Sequence, residues 1–165
     1  MCRLALLLAL TCAGGPLLAQ PPENPQIDYR GFQALAATVQ PHREGRLIDH
    51  ARFNRMAAAP GTLVLDARSR EAFAAGHIAG AVNLPFTEFT AESLAAAIGP
   101  NRDRPILIYC NNNFSNNAPP VTRKLITVAL NIQTFINLYG YGYRNVYELN
   151  DVVDFNDPAV RWVSG

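Results

Sequence analysis

The sequence predicts an α/β domain, with a mainly parallel central sheet flanked by helices. Three observations point there. Short apolar runs at residues 62–65, 81–84 and 106–109, with a further strand pattern at 145–149, are too brief for helices. Helix-like apolar spacings fill the segments between them, and Gly, Pro or Asn stands at the joints. Continuous apolar runs suit strands covered on both faces, which is the condition of a parallel sheet. The chain has 165 residues and 49% hydrophobic content, enough for one ordinary core.

At the amino end, Arg3 precedes an apolar run at residues 4–10, and small residues follow at Ala13, Gly14, Gly15 and Ala19. This pattern reads as a secretory signal cleaved after Ala19. The run is too short, and too broken by Gly14, Gly15 and Pro16, to cross a bilayer core of about 30 Å. The expected organisation is a signal at 1–19, a flexible mature start at 20–26 and one domain at 27–165. The expected location is periplasmic or secreted, without stable membrane insertion. Cleavage removes Cys2 and Cys12 and leaves Cys110 as the one cysteine, so no intramolecular disulfide is expected. A lone thiol in an oxidising compartment is either a buried apolar filler or a group kept for its chemistry.

Between residues 27 and 59, apolar positions fit two short helices interrupted by Pro41 and Gly45. Pro60 and Gly61 turn the chain into the strand at 62–65, which ends at Asp66. Ser69 can cap a short helix with Glu71 in its first turn and Phe73 on its buried side, closed by Gly76. The strand at 81–84 lies between Gly80 and Pro85. Thr90 can cap a helix at 91–98, which Gly99 and Pro100 end. Polar residues 101–104 lead into the strand at 106–109, and Cys110 follows directly at its carboxyl end. The run Asn111, Asn112, Asn113, Phe114, Ser115, Asn116, Asn117 is loop-forming by composition and stops at Pro119 and Pro120. A helix is expected at 121–129 and another, capped by Asn131, at 132–139. Gly140 stops that helix, and Gly142 turns the chain into the strand at 145–149.

Several functions are excluded or disfavoured by residue type. The formal charge of +1 is scattered, with no basic stripe for nucleic acid. His42, His50 and His77 show no ligand spacing with one another or with Cys110, so neither a metal nor another cofactor is expected. Cys110 has no Cys-x-x-Cys partner for dithiol redox chemistry. The sixth residue after it is Asn116, where a Cys-x5-Arg phosphate loop needs arginine.

The run Asp66-Ala67-Arg68-Ser69, then Phe73, then Gly76-His77-Ile78-Ala79-Gly80-Ala81-Val82-Asn83-Leu84-Pro85, resembles the rhodanese family. Gly142-Tyr143-Arg144-Asn145-Val146-Tyr147-Glu148-Leu149 is similar to that family's last strand, and the likeness extends from about Leu47 to Leu149. The resemblance implies a sulfurtransferase that carries sulfane sulfur as a persulfide on Cys110, which falls where the family's nucleophile stands. Its partners would be a small sulfur-containing donor and a thiol acceptor.

Elementary chemistry agrees with that placement. Ligands of open α/β sheets bind beyond the carboxyl ends of the strands. Backbone N–H groups of a following loop and the start of a helix can stabilise an anionic sulfur and draw a thiol pKa below its usual value of about 8.5. The loop residues Asn111, Asn112, Asn113, Phe114, Ser115 and Asn116 are accordingly expected to contact substrate, with Arg123 and Arg68 as candidate cationic contacts and Lys124 as a substitute. Arg123 and Lys124 also fit solvated charges on a helix. Asp66, His77 and Gly80 are expected as structural parts of the motif, and Asp66 with Arg68 is expected to hold the turn after the strand. Tyr139, Tyr141 and Tyr143 are expected in turn packing, with an aromatic wall near the site as the other reading. The region 110–131 is longer than the family pattern and has no Gly or Arg before Arg123, which predicts weak use of thiosulfate and better use of polysulfides or small persulfides. The competing function is a non-catalytic exported module that binds a small anion, a sulfur species or a partner protein.

Overall fold

A computed structural model describes residues 24–164. The expected signal, the first residues of the expected tether and Gly165 lie outside the described residues. Helix α1 (Tyr29–Glu44) starts where the Asp28 carboxylate accepts the N–H of Gly31, and it ends with His42 and Arg43 facing the negative end of the helix. Pro41 does not interrupt it. It stands in the last turn on the exposed side, where the one helical hydrogen bond it cannot donate is lost at the surface. The second expected helix is shorter than its apolar spacing suggested, because Leu47 and Ile48 form strand β1 (Leu47–Ile48) ahead of α2 (His50–Ala57).

Strand β2 (Leu63–Asp66), helix α3 (Arg70–Ala75), strand β4 (Val82–Asn83), helix α4 (Ala91–Ile98) and strand β5 (Ile106–Tyr109) follow, and between α3 and β4 lies β3 (His77–Ile78). Ser69 and Thr90 cap α3 and α4 as their side-chain chemistry predicts. Helix α5 (Leu130–Gly140) leads into β6 (Val146–Leu149), and β7 (Trp162–Val163) is the last strand described.

The main sheet has the order β1-β6-β5-β2-β4 and every pairing in it is parallel. Alternate residues of its central strands feed two cores. Leu63, Leu65, Ile106 and Ile108 pack with Val39, Leu94, Ile98 and Phe135 of α1, α4 and α5. On the other face Val64, Leu107 and Tyr109 pack with Phe53 of α2, Phe114 and Leu149. Two-sided burial explains why β2 and β5 read as unbroken apolar runs. It also puts the carboxyl end of β5, and therefore Cys110, at the middle of the sheet's upper edge.

Three local expectations are corrected. Residues 121–129 are not helical. Val121 is buried as an anchor, and only a single 3-10 turn forms at Ile126–Val128. The backbone of this segment is instead engaged by asparagine side chains: Asn111 donates to the carbonyl of Thr122, Asn112 brackets Lys124 by donating to its carbonyl and accepting from its N–H, and Asn117 accepts from the N–H of Arg123. Peptide groups held this way are not available for a helical ladder. Asn131 does not cap α5, which begins two residues earlier than expected, at Leu130 after Ala129. The sequence reading also missed a small antiparallel sheet in which β7 pairs with β3, bringing Trp162 onto Gly76. A Cβ at Gly76 would lie 2.5 Å from the indole nitrogen, so this glycine is needed for the close approach.

Candidate active site

The floor of the site is a buried polar cluster. Asp66 ends β2 fully buried, where its carboxylate accepts the backbone N–H of Arg68 and a fork of guanidinium bonds from the same residue, the shortest at 2.6 Å. The Tyr109 hydroxyl donates to Asp66 Oδ2 at 2.6 Å and accepts the N–H of Ile78. Arg68 also donates to the carbonyls of Gly76 and Pro120. Its guanidinium also lies 5.5 Å from the ring centres of both Tyr109 and Trp162. Burial and the adjacent carboxylate push the Tyr109 phenol well up, so this hydroxyl remains a donor.

Cys110 leaves β5 in an extended conformation and starts a 3-10 turn over Asn111–Asn113. Its N–H is received by Asn113 Oδ1 at 2.9 Å, while the Asn113 amide nitrogen donates to the carbonyls of Leu149 and Asp151. Asn131, on the first turn of α5, donates to Asn113 Oδ1 and to Glu148 Oε1. Glu148 is held from the other side by the Arg43 guanidinium at 2.5 and 2.6 Å.

The sulfur has opposing influences around it. Burial pushes the Cys110 thiol up and is the largest effect; the backbone N–H groups of Asn131 and Asn112 pull it down, the Glu148 charge raises it, and the N–H of Asn113 lowers it. The net direction is upward. The expectation of a low-pKa thiol at rest is therefore corrected: the loop does turn N–H groups toward the sulfur, but at 1% exposure desolvation of the thiolate outweighs them.

Cys110 borders two cavities. The larger, about 590 Å³, runs along Asn111 and Asn112 between Arg68, Pro119, Pro120 and the aliphatic side chains of Leu125, Val128 and Leu130. The smaller, about 230 Å³, lies toward Arg43, Glu148, Asn131 and Asn113.

Several expected contacts are not at the site. Phe114 is fully buried in the core that packs on Phe53 of α2, edge-on to Tyr109 and Trp162. Ser115 pairs with Val153, and Asn116 donates to Asp154 while accepting the N–H of Phe155, so both fasten the loop to the chain's final segment. Arg123 is exposed and lines neither cavity, whereas Lys124 lies on the larger one. The side chains diverge because the loop is sandwiched between residues 121–125 and 149–155: Asn111, Asn112 and Asn117 bind the first segment, whereas Asn113, Ser115 and Asn116 bind the second. Of the tyrosines, Tyr143 is packed in the core beneath α1, α4 and α5 and Tyr141 lies at a separate groove beside Phe32, so neither forms a wall at Cys110. His77 stacks on Phe73 with ring centres 3.7 Å apart and has Nδ1 2.8 Å from the Phe73 carbonyl. Gly80 has φ +84° in the tight turn before β4.

Arg43, Asn131 and Glu148 were not anticipated as site residues. A glutamate inside an otherwise apolar strand was the one signal available, since a buried carboxylate requires partners. Among the described residues no group of three His, Cys, Asp or Glu side chains could hold a metal ion, and no helix is long and apolar enough to cross a membrane.

The buried cysteine thus stands at the carboxyl end of the central strand of a parallel α/β sheet, the place where ligands of such sheets bind. The chain belongs to the rhodanese-like domain family: the family model matches residues 49–151, more than half of its length. Over 76 residues it is 37% identical to the HTH-type transcriptional regulator Rv0324 of Mycobacterium tuberculosis, a stretch that is 46% of this chain and 32% of that protein. The chain thus spans about a third of the relative it matches. Among solved structures, it resembles the Alr3790 protein of Anabaena sp. at 20% identity and a TM-score of 0.44, covering 62% of this chain and 70% of that one. The BH2092 protein of Bacillus halodurans is similar at 17% identity and a TM-score of 0.42, covering 72% and 74%.

Proposed function

We propose that this protein is an exported sulfurtransferase that moves sulfane sulfur through a persulfide on Cys110 to a thiol acceptor. The observation that carries this reading is the position of the Cys110 sulfur, between the N–H groups of Asn112, Asn113 and Asn131 and at the edge of an open cavity. Those donors face the place where negative charge grows, first on the attacking sulfur and then on the outer sulfur of the persulfide. Burial raises the thiol, so the attacking thiolate is the form that these N–H groups must favour.

The high proton affinity of a buried thiol also favours a second reading, a non-catalytic module that binds a sulfur species or a partner without turnover. Intact mass after incubation with polysulfide separates the two. Sulfur transfer requires a gain of about 32 Da on the native protein, its loss on adding cyanide or a thiol, and neither change in Cys110→Ser. A native protein that stays unmodified by every sulfur donor leaves the binding module. Export, expected from residues 1–19, is tested separately by the amino-terminal mass of protein recovered from its native compartment; a start close to Gln20 supports it.

A further inference from the structure

The larger cavity beside Cys110 has walls that do not match an inorganic anion. At about 590 Å³ it lies inside the range of small-molecule sites, roughly 300–1,000 Å³, and thiosulfate would occupy only a fraction of it. Its two cations are poorly placed for a dianion. Arg68 is 3% exposed, with its donors directed at Asp66, Gly76 and Pro120, and Lys124 stands on the exposed rim. The remaining lining holds the neutral polar residues Ser69, Asn111, Asn112 and Thr122 beside a largely aliphatic wall of Pro119, Pro120, Leu125, Val128 and Leu130. Leu125 is 68% and Val128 52% exposed, an unusual way to leave two large apolar side chains that border a reactive sulfur. Their position is enforced, because Asn111 and Asn112 hold the backbone of Thr122 and Lys124 beside the Cys110 turn.

We propose that this cavity receives an organic persulfide with an apolar body, and the corresponding thiol, in preference to thiosulfate or polar small persulfides. The inference rests on the sulfurtransferase reading for its chemical step and adds to it the class of sulfur carrier. In that step the Cys110 sulfur attacks the terminal sulfur of the carrier persulfide. A bond forms from Sγ to that sulfur as the bond between the carrier's two sulfurs breaks. The carrier departs as a thiolate and takes up the proton that Cys110 gave up. One thiol and one persulfide become one persulfide and one thiol, with no net oxidation. The apolar body lies against Leu125 and Val128, where burial of even one or two methylenes discriminates about tenfold.

The test compares hexyl persulfide, 2-hydroxyethyl persulfide and thiosulfate as donors, reading the mass gain on Cys110 over time. It adds calorimetric binding of hexanethiol to the Cys110→Ser protein, which needs no turnover. The expected result is loading about tenfold faster from the hexyl than from the hydroxyethyl donor, a ratio that falls toward one in Leu125→Ser/Val128→Ser. Saturable hexanethiol binding, lost in the triple variant, is expected alongside. Equal loading from all donors overturns the inference and leaves sulfur transfer standing. Hexanethiol binding without loading from any donor overturns sulfur transfer while the apolar ligand class stands. Absence of hexanethiol binding, or donor ratios unaffected by the two serines, rejects the cavity as an apolar carrier site. The aliphatic rim would then serve a macromolecular surface.

Discussion

Asn113 holds Cys110 by its backbone: the side-chain oxygen accepts the cysteine N–H at 2.9 Å while the amide nitrogen reaches the Leu149 carbonyl at 2.7 Å. One buried amide thus ties the end of β5 to the end of β6, and fixes the direction in which the sulfur leaves the sheet. Asparagine suits this position because it accepts on one side and donates on the other, which neither aspartate nor leucine can do.

Replacing Asn113 with alanine should therefore cost stability and site order together. It strands the Cys110 N–H and the Leu149 and Asp151 carbonyls in a buried setting, for a loss of about 2–4 kcal/mol. Urea unfolding of the variant should show a lower midpoint at unchanged slope. Asn113→Asp retains an acceptor but loses both donated bonds and adds a charge near the sulfur, so it should be no better. A midpoint equal to wild type in both variants would contradict the role of Asn113 in tying β5 to β6.

Cys110 should titrate above a free cysteine, and its alkylation rate by iodoacetamide should rise at a pH above the usual value of about 8.5. A raised folded-state pKa means that the native state keeps its proton longer than the unfolded chain. The contribution to stability is complete below the unfolded pKa and is lost as pH rises through it toward the folded one. Cys110→Ser should lack this alkaline loss. Glu148→Gln removes a negative charge that raises the thiol, so the alkylation midpoint should move down. It should also destabilise by about 1–3 kcal/mol, since the partly exposed Arg43 loses a bidentate partner. An alkylation midpoint that stays in place in Glu148→Gln would remove Glu148 from control of the sulfur.

The Asp66 cluster should behave as a unit. Arg68→Ala leaves a fully buried carboxylate without its cation and should cost roughly 3–5 kcal/mol, enough to threaten folding. Tyr109→Phe removes only the hydroxyl that joins Asp66 to Ile78 and should cost about 1–3 kcal/mol. The double-mutant cycle of Tyr109→Phe with Arg68→Lys should show coupling, because both side chains bond the same carboxylate. Strictly additive losses would mean that the two bonds are independent.

The sequence by itself determined the parallel sheet, the place of Cys110 and the ends of α3 and α4. These rest on local signals: apolar runs of strand length at 62–65 and 106–109, and the caps Ser69 and Thr90. The motif Asp66 to Pro85 added the family. Tertiary structure alone decided which loop residues meet the site. Asn111 to Asn117 are nearly alike in composition, yet Asn111 and Asn112 fasten one wall, Asn113 supports the cysteine, and Asn116 binds the final segment. It also decided that 121–129 would not be helical, since asparagines ten or so positions away hold its peptide groups. The thiol's proton affinity belongs to the same class. N–H groups facing a sulfur can be anticipated from a strand followed by a loop, but the degree of burial that opposes them depends on α5, β6 and the segment after Leu149 closing around Cys110. Desolvation is a property of everything packed around a group, and a sequence read locally does not contain it.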